Sequence, residues 1–286
     1  MDRRWLPAVI SLTAILCAQP PEEKPEPVLA TFKGTRLYNF HTTETAARGH
    51  LEFRVAHRFG DLTRGYATFW GLDAGAQVRL SLDYGVTDYL TVGLERSGVG
   101  RLYDAFVKVR LLRQKVPRGT PFSLTYYGAV FYSDLQDGAR YPQAVHRFQY
   151  LHQLLAARKV SSRFSALAGI AWLHQNYALS WQAPNDYAFV PVIARFKLTK
   201  RLTLAAETAL PLWENEPQEG RGLPDYRIPY AVVLEVETGG HVFQIGLSNA
   251  AGIAEPQTLL TQGYRLSLGF NISRIFSLYG DPSLGY

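Results

Sequence analysis

Residues 78–94 read VRLSLDYGVTDYLTVGL, and apolar residues fall on every second position: Val78, Leu80, Leu82 and Tyr84, then Leu90, Val92 and Leu94. Arg79, Ser81 and Asp83 lie between the first set, and Thr91, Gly93 and Glu95 follow the second in alternation. A period of two is the side-chain period of a strand, so the stretch is a β-hairpin with one dry and one wet face. The same pattern recurs along the chain and predicts twelve strands, over 50–59, 75–84, 89–96, 104–113, 121–132, 146–158, 163–174, 187–198, 201–213, 229–237, 241–249 and 263–272. Residues 149–160 (QYLHQLLAARKV) come closest to a helical period.

The connections carry a second pattern. Long links at 60–74, 133–145, 175–186, 214–228 and 250–262 alternate with short ones such as GVTD (85–88), KVSS (159–162), TK (199–200) and TGG (238–240). A soluble sandwich has no reason to alternate in this way, whereas a barrel in an outer membrane has short periplasmic turns and long outer loops. The strand lengths suit a tilted membrane crossing of roughly 9–11 residues better than the ~5–6 of soluble strands.

Parity sorts the side chains. One set reads Leu51/Phe53/Val55/Phe59, Val78/Leu80/Leu82/Tyr84, Val107/Val109/Leu111, Val190/Val192/Phe196/Leu198, Tyr230/Val232/Leu234/Val236 and Tyr264/Leu266/Leu268/Phe270/Ile272. The other carries Arg54, Arg58, Arg79, Lys108, Arg110, Arg147, Arg195, Lys197 and Arg265 against Glu52, Asp83, Glu95, Glu207, Glu235 and Glu237. A lipocalin-like barrel would show the same alternation turned inward. Lipid is favoured by Tyr and Trp near strand ends (Tyr84, Tyr89, Trp172, Trp181, Trp213, Tyr230, Tyr264), where aromatic girdles sit. Charged residues make up only 19% of the chain, yet mean hydropathy is −0.10, a pairing expected when half of each strand is polar. The +6 charge is scattered and leaves no nucleic-acid footprint.

The start of the chain reads as an export signal: Arg3 and Arg4, an uncharged run Trp5–Ala18, and Leu16 and Ala18 before Gln19. The expected organisation is a cleaved signal over 1–18, an extended leader over 19–49 opening with the proline-rich QPPEEKPEPVLA, a transmembrane barrel over 50–272 and a tail over 273–286. The single cysteine, Cys17, falls in the signal, so the exported chain has no disulfide or thiol chemistry.

LEFRVAHRFG (51–60), GLDAGAQVRLSLDYGVTDYLTVGLERS (71–97), YDAFVKVRLLRQ (103–114) and GFNISRIF (269–276) resemble an uncharacterised outer-membrane β-barrel family of Gram-negative bacteria. The family shows a serine within an NGHSVE-like stretch, and here NFHTTE (39–44) places Thr42 there. The resemblance implies an all-β, antiparallel up-and-down barrel in the envelope. It implies no reaction.

A search for chemistry finds no GxSxG, HExxH, P-loop or GxGxxG. His146 and His152, six residues apart on one strand, would be about 20 Å apart and cannot share a metal. No cofactor or metal is expected. His174 and Ser180 form the best pair for a barrel esterase. The loop DLTRGYATFWGLDA (61–74) is unusually apolar, and Tyr66, Trp70 and Asp73 are its candidates for a constriction that folds into the mouth. Across the 85–88 turn the parity permits residue pairs summing to 172 or 174, bringing Arg79 to Glu95.

The expectation is a passive outer-membrane barrel in lipid: a narrow or plugged pore, or a structural barrel serving an envelope partner. The twelve lumen-facing charges singled out are Arg54, Arg58, Arg79, Asp83, Glu95, Lys108, Arg110, Arg195, Lys197, Glu207, Glu235 and Arg265. A slight positive excess would give a weak preference for anions. The alternatives are an outer-membrane hydrolase and a soluble periplasmic β-domain.

Overall fold

The computed structural model describes residues 24–178, 183–215, 223–250 and 252–279. Twelve strands form one closed antiparallel barrel in sequence order. They are β1 (His50–Asp61), β2 (Gln77–Thr87), β3 (Leu90–Ser97), β4 (Leu102–Leu112), β5 (Ser123–Ser133) and β6 (Phe148–Lys159), then β7 (Phe164–Gln175), β8 (Asp186–Lys197), β9 (Leu202–Pro211), β10 (Tyr230–Thr238), β11 (His241–Ser248) and β12 (Ser267–Ser277). All twelve expected strands are present, and 149–159 of the stretch nearest a helical period is strand. The last runs to Ser277 rather than 272, because its pairing with β1 continues to Ser277↔His50 and closes the sheet. Closure leaves no edge with unpaired backbone groups, the condition that hydrocarbon imposes.

The alternation of long and short links holds except beside β4. There 98–101 is short on the long-loop end and 113–122 is longer on the turn end. Register departs by one pair from the expectation: Ser81 faces Glu95 and Arg79 faces Ser97, a sum of 176, because a bulge sits between Gly85 and Thr87. Arg79 and Glu95 are therefore diagonal neighbours on one face, and their charged groups still pair.

Every residue of the dry set points away from the barrel axis, as Leu80, Leu82, Leu94 and Val232 do. Of the proposed girdle, Tyr84, Tyr89, Trp172, Tyr230 and Tyr264 are on the outside. Trp213 is not. Its ring packs at 5.1 Å from Tyr187 and 5.0 Å from Tyr226, at the loop end of the interior. Trp181 lies outside the described residues.

The interior is where the fold departs most from expectation. Residues 31–46, read as part of an extended leader, run inside the barrel. Phe32, Thr35, Leu37, Tyr38, Phe40, His41, Thr42 and Thr43 are each at most 2% exposed. Among the described residues, 24–30 stay outside, where Glu26–Pro27 pairs with Lys115–Val116 of the turn after β4, and Ala47 and Arg48 are exposed at the rim. Twelve strands enclose more space than their own side chains fill, since eight already suffice for a packed interior. The chain fills that space itself.

Half of the inner wall is also apolar. Leu151, Leu155, Leu167, Leu173, Phe189 and Ile193 on β6–β8 are buried against the interior and join one core with Leu37, Tyr38 and Phe40. The outer faces of these strands are apolar too, so alternation is weak there and does not reveal which side is inner.

Leu82 lies at the middle of β2 and faces outward at 44% exposure. Leu82→Arg should cost about 2–4 kcal/mol in a refolding titration in lipid, and Leu80→Arg, nearer the rim, less. Ser81→Arg is not the mild control that parity alone suggests, because Ser81 is 4% exposed in a filled interior. An equal, negligible effect at Leu82 and Leu80 would mean that these faces do not meet hydrocarbon.

Candidate functional site

The segment inside the barrel is a hairpin. Leu37 N donates to Phe40 O at 2.9 Å, Thr42 N to Thr35 O at 2.9 Å, and Arg36 pairs with His41. Its tip meets a carboxylate from the wall: the amides of Tyr38, Asn39 and Phe40 donate to Glu207 of β9 at 3.2, 2.7 and 3.4 Å. A buried carboxylate is thus satisfied by backbone donors that a tight turn leaves unpaired. The Tyr38 ring lies under the Arg58 guanidinium at 3.5 Å, and its hydroxyl donates to Gly246 O at 3.0 Å. Gly246 and Gly269 face each other across β11 and β12. A side chain on either would run into Tyr38.

The legs of the hairpin are held by the charged half of the wall. Thr35 Oγ1 donates to Asp83 at 2.6 Å, and Lys108 Nζ donates to Thr35 O at 2.6 Å. Arg54 binds Thr35 Oγ1 and Glu52 together. Further down, Thr125 Oγ1 donates to Thr43 O at 2.9 Å, and Ala46 N donates to Thr91 Oγ1 at 2.9 Å.

A second segment enters from the opposite end. The loop between β11 and β12 carries a short helix, α1 (Glu255–Leu259), with Ile253, Ala254, Glu255, Thr258, Leu259 and Thr261 all buried. Glu255 reaches the hairpin: its Oε1 is 2.6 Å from Arg36 Nη1, and its Oε2 is 2.7 Å from Arg79 Nη1. Glu95 of β3 accepts from the same two arginines, at 2.8 Å from Arg36 and in direct contact with Arg79. The four groups form a ring, Arg36–Glu95–Arg79–Glu255, and Asp104 of β4 accepts from Arg79 at 3.0 and 3.1 Å. The hairpin from the turn end and the loop from the far end therefore meet through one ion-pair ring attached to the wall. Such pairs repay their desolvation only when every lone pair and proton is used, and removing one partner leaves a buried uncompensated charge.

His41 packs on this ring. It is fully buried, its ring centroid is 4.0 Å from that of Tyr127, and Arg36 Nη2 and Glu255 Oε1 lie 2.7 and 3.3 Å from Nε2. Lys108 Nζ lies 3.5 Å from Nδ1, so two cations that can only donate face the ring and keep the imidazole neutral. Burial, then the charges of Arg36 and Lys108, hold its pKa well below the ordinary value. Burial raises the Glu255 carboxyl, but Arg36 and Arg79 outweigh it and hold the group well below the usual carboxylate range.

Of the twelve charges singled out by parity, Arg54, Arg58, Arg79, Asp83, Glu95, Lys108, Arg110, Arg195, Glu207 and Glu235 are buried on the inner face. Arg195 pairs with Glu235 at 3.3 Å, and Arg110 with Glu44 at 3.4 Å. Lys197 is half-buried at the turn end of β8, and Arg265 is half-buried ahead of β12. Arg147 lies in the loop before β6, where it donates to Ser133 O and Leu135 O. Glu237 is half-buried and bonds Lys33 at 2.5 Å. Asp104, which shares the parity of Lys108 and Arg110 but is not among the charges singled out, adds a carboxylate. The positive excess expected from the sequence is absent: on the inner wall Arg54, Arg58, Arg79, Lys108, Arg110 and Arg195 are matched by Glu52, Asp83, Glu95, Asp104, Glu207 and Glu235.

The loop 62–74 does not fold into the mouth. Tyr66 is 83% exposed, Trp70 49%, and Asp73 is exposed as well. The aromatic rings pack on one another at the outer rim, with Tyr66–Trp70 at 6.1 Å and Phe69–Trp70 at 5.9 Å. The constriction expected there is supplied by 31–46 and 252–261. Arg36, His41 and Glu255 are the residues that sequence reasoning missed. The available signals were the NFHTTE stretch and an outer loop, AAGIAEPQTLLTQ, too apolar for a solvated excursion.

His174 is on the outer wall. Its Nδ1 is 2.9 Å from Asp186 Oδ1 and its Nε2 is 3.1 Å from Asn176 Oδ1. Ser180 lies outside the described residues. Among the described residues no cluster of three or more His, Cys, Asp or Glu is placed to hold a metal ion.

Glu207→Ala should free the hairpin tip without opening the sheet. Amide exchange at Leu37–Phe40 should accelerate about ten- to a hundredfold, as loss of a charge-assisted acceptor implies, while β1–β12 stay protected. Uniform acceleration over the strands would instead make Glu207 a structural element of the wall.

The chain shares its architecture with solved barrels. It is similar to a NanC porin structure at a TM-score of 0.50 and 11% identity, covering 79% of this chain and 98% of that one. It is also similar to the KdgM porin (TM-score 0.46, 9% identity, 80% and 98% covered). The COG4313 outer membrane channel from Pseudomonas putida F1 gives 0.46 at 10% identity, with 82% and 98% covered. No curated protein matches the chain. The model of the family described as "Membrane bound beta barrel domain (DUF5777)" matches residues 32–276, a span that begins inside the hairpin and ends on the closing strand. The chain belongs to this family of membrane-bound β-barrels.

Proposed function

We propose that this protein is an outer-membrane channel held closed by its own chain, with the ring Arg36–Glu95–Arg79–Glu255 as the latch between an inner hairpin and an outer loop. One observation carries the reading. Glu255 comes from a connection on the long-loop end and Arg36 from a segment entering at the turn end, yet they meet at 2.6 Å in the interior. A purely structural barrel could fill its core from the wall. Here two separate segments fill it, each attached to the wall by polar contacts that can exchange for water. Both termini of the barrel lie at the turn end, so the hairpin is on the periplasmic side if the long loops face outward. The resemblance in fold to outer-membrane porins supports that location, and a lipid-facing outer surface fits it. The esterase alternative through His174 is disfavoured because its Nε2, the nitrogen that would serve a nucleophile, is engaged by Asn176 Oδ1.

Conductance in a planar bilayer tests this. The intact barrel should be closed or nearly so. A variant lacking 31–46 should give large, steady steps with little ion selectivity, because the inner wall is balanced in charge. Glu255→Gln, which leaves the sheet intact, should raise the frequency of openings. An intact barrel that conducts as well as the deletion variant would remove the gate.

Acid should loosen the latch. His41 resists protonation when closed, so the closed state loses relative stability as pH falls below the ordinary imidazole value of about 6.5. Glu255 is held ionised, so its contribution is present above the ordinary carboxyl value and lost as pH falls through its depressed one. Openings should therefore become more frequent from pH 7.5 to 4.5, with the upper part of the rise absent in His41→Gln. A fall in openings over that range would contradict the sign.

A further inference from the structure

A cavity of about 510 Å³ opens at the long-loop end, above the latch, and neither the ring nor the hairpin lines it. Its polar lining is dominated by amides: Gln149 at the top of β6, Gln175 at the top of β7, and Gln257 and Gln262 from the inserted loop. Leu102, Leu135 and Leu260 supply apolar surface between them. Among the described residues Arg140 is the one charged member of the lining, and its guanidinium is drawn over the Tyr141 ring at 5.5 Å.

We propose that this cavity binds a neutral, hydroxyl-rich solute of mono- or disaccharide size, held by the amides of Gln149, Gln175 and Gln262. The lining fits that chemistry and excludes others. Gln175 is 3% exposed and faces the cavity, its Nε2 donates to Gln149 Oε1 at 3.2 Å, and its own Oε1 is buried without a partner among the described residues. That oxygen has no exposed surface of its own, so a ligand O–H meets it once the Gln175 amide turns into the cavity. Each amide offers a donor and an acceptor side by side, which matches vicinal hydroxyls. Gln257 is committed elsewhere, donating to Val99 O at 2.9 Å, and so serves as a fixed wall. A ligand with C–H faces and O–H edges satisfies leucines and amides at once. A hydrocarbon would leave the buried amide oxygen unpaired. A zwitterion would need a carboxylate, and none lines the cavity among the described residues. The volume lies within the ~300–1,000 Å³ range of small-molecule sites.

The assignment deepens the channel reading and rests on it: the ligand is the solute presented to the gate from outside. The site has its own readout, equilibrium binding to the intact chain in detergent. Calorimetry with sucrose and maltose should show saturable binding in the millimolar range or tighter. Gln175→Leu, which keeps the volume, should weaken it about tenfold, the effect of losing one or two hydrogen bonds. Gln262→Ala, at a half-buried loop position that the barrel does not depend on, should weaken it severalfold. Glucuronate should bind no better than either neutral sugar. Absence of saturable binding for both neutral sugars, unchanged affinity in both variants, or glucuronate binding tenfold tighter would each overturn the proposal. A barrel that binds sucrose but conducts when intact keeps the site and loses the gate. A closed barrel that binds neither sugar keeps the gate and loses the site.

Discussion

The Arg36 guanidinium decides how the interior of this barrel is organised. It sits 5% exposed at the centre of a closed sheet, and a charge placed there must be met by charges of opposite sign. Glu95 meets it from the wall and Glu255 from the far loop, while Arg79 completes the ring from β2. Each element has another reason to be where it is, but the ring sets how deep the hairpin goes and how far the loop descends. Remove Arg36 and two carboxylates face each other with one arginine between them.

Around this ring the interior divides by chemistry. On β1–β4 the wall presents Glu52, Arg54, Asp83, Asp104 and Lys108, and the hairpin answers with Thr35, its carbonyl oxygen and Arg36. On β6–β8 the wall presents leucines, Phe189 and Ile193, and Leu37 and Phe40 answer. A two-sided filling of this kind orients the hairpin uniquely, since rotating it would bury charge against leucine. Polar contacts to the other side are the tip, where Glu207 collects three backbone donors, and Lys33, which pairs with Glu237 of β10. The apolar side supplies packed contacts, and the polar side supplies the contacts that water can replace.

This division bears on gating. Packed apolar contacts resist water, whereas an ion-pair ring can be weakened by protons or by a ligand that shifts the loop. The loop that carries Glu255 into the latch also carries Gln257, Leu260 and Gln262 into the vestibule lining. Outer ligand chemistry and the inner latch are thus separated by a single turn of helix, a short physical route for coupling.

Much of the barrel was legible in the sequence. The period of two gave twelve strands because each crosses hydrocarbon with one face and meets polar groups with the other, and Arg54, Arg79, Asp83 and Lys108, which share the wet parity, are buried on the inner face. Register across β2 and β3 was offset by one pair because a bulge at Gly85–Thr87 leaves no mark in alternation. On β6–β8 parity was silent, since lipid and the core behind the wall both select apolar residues. The sequence could not show that 31–46 folds inward, because its mixed polar and apolar residues match no lattice of their own, only the two unlike walls around them. Nor could it pair Arg36 with Glu255, which are joined only when the sheet closes and draws both ends of the chain toward one axis. Local pattern determined the sheet, and closure, which creates a volume the wall cannot fill, decided the rest.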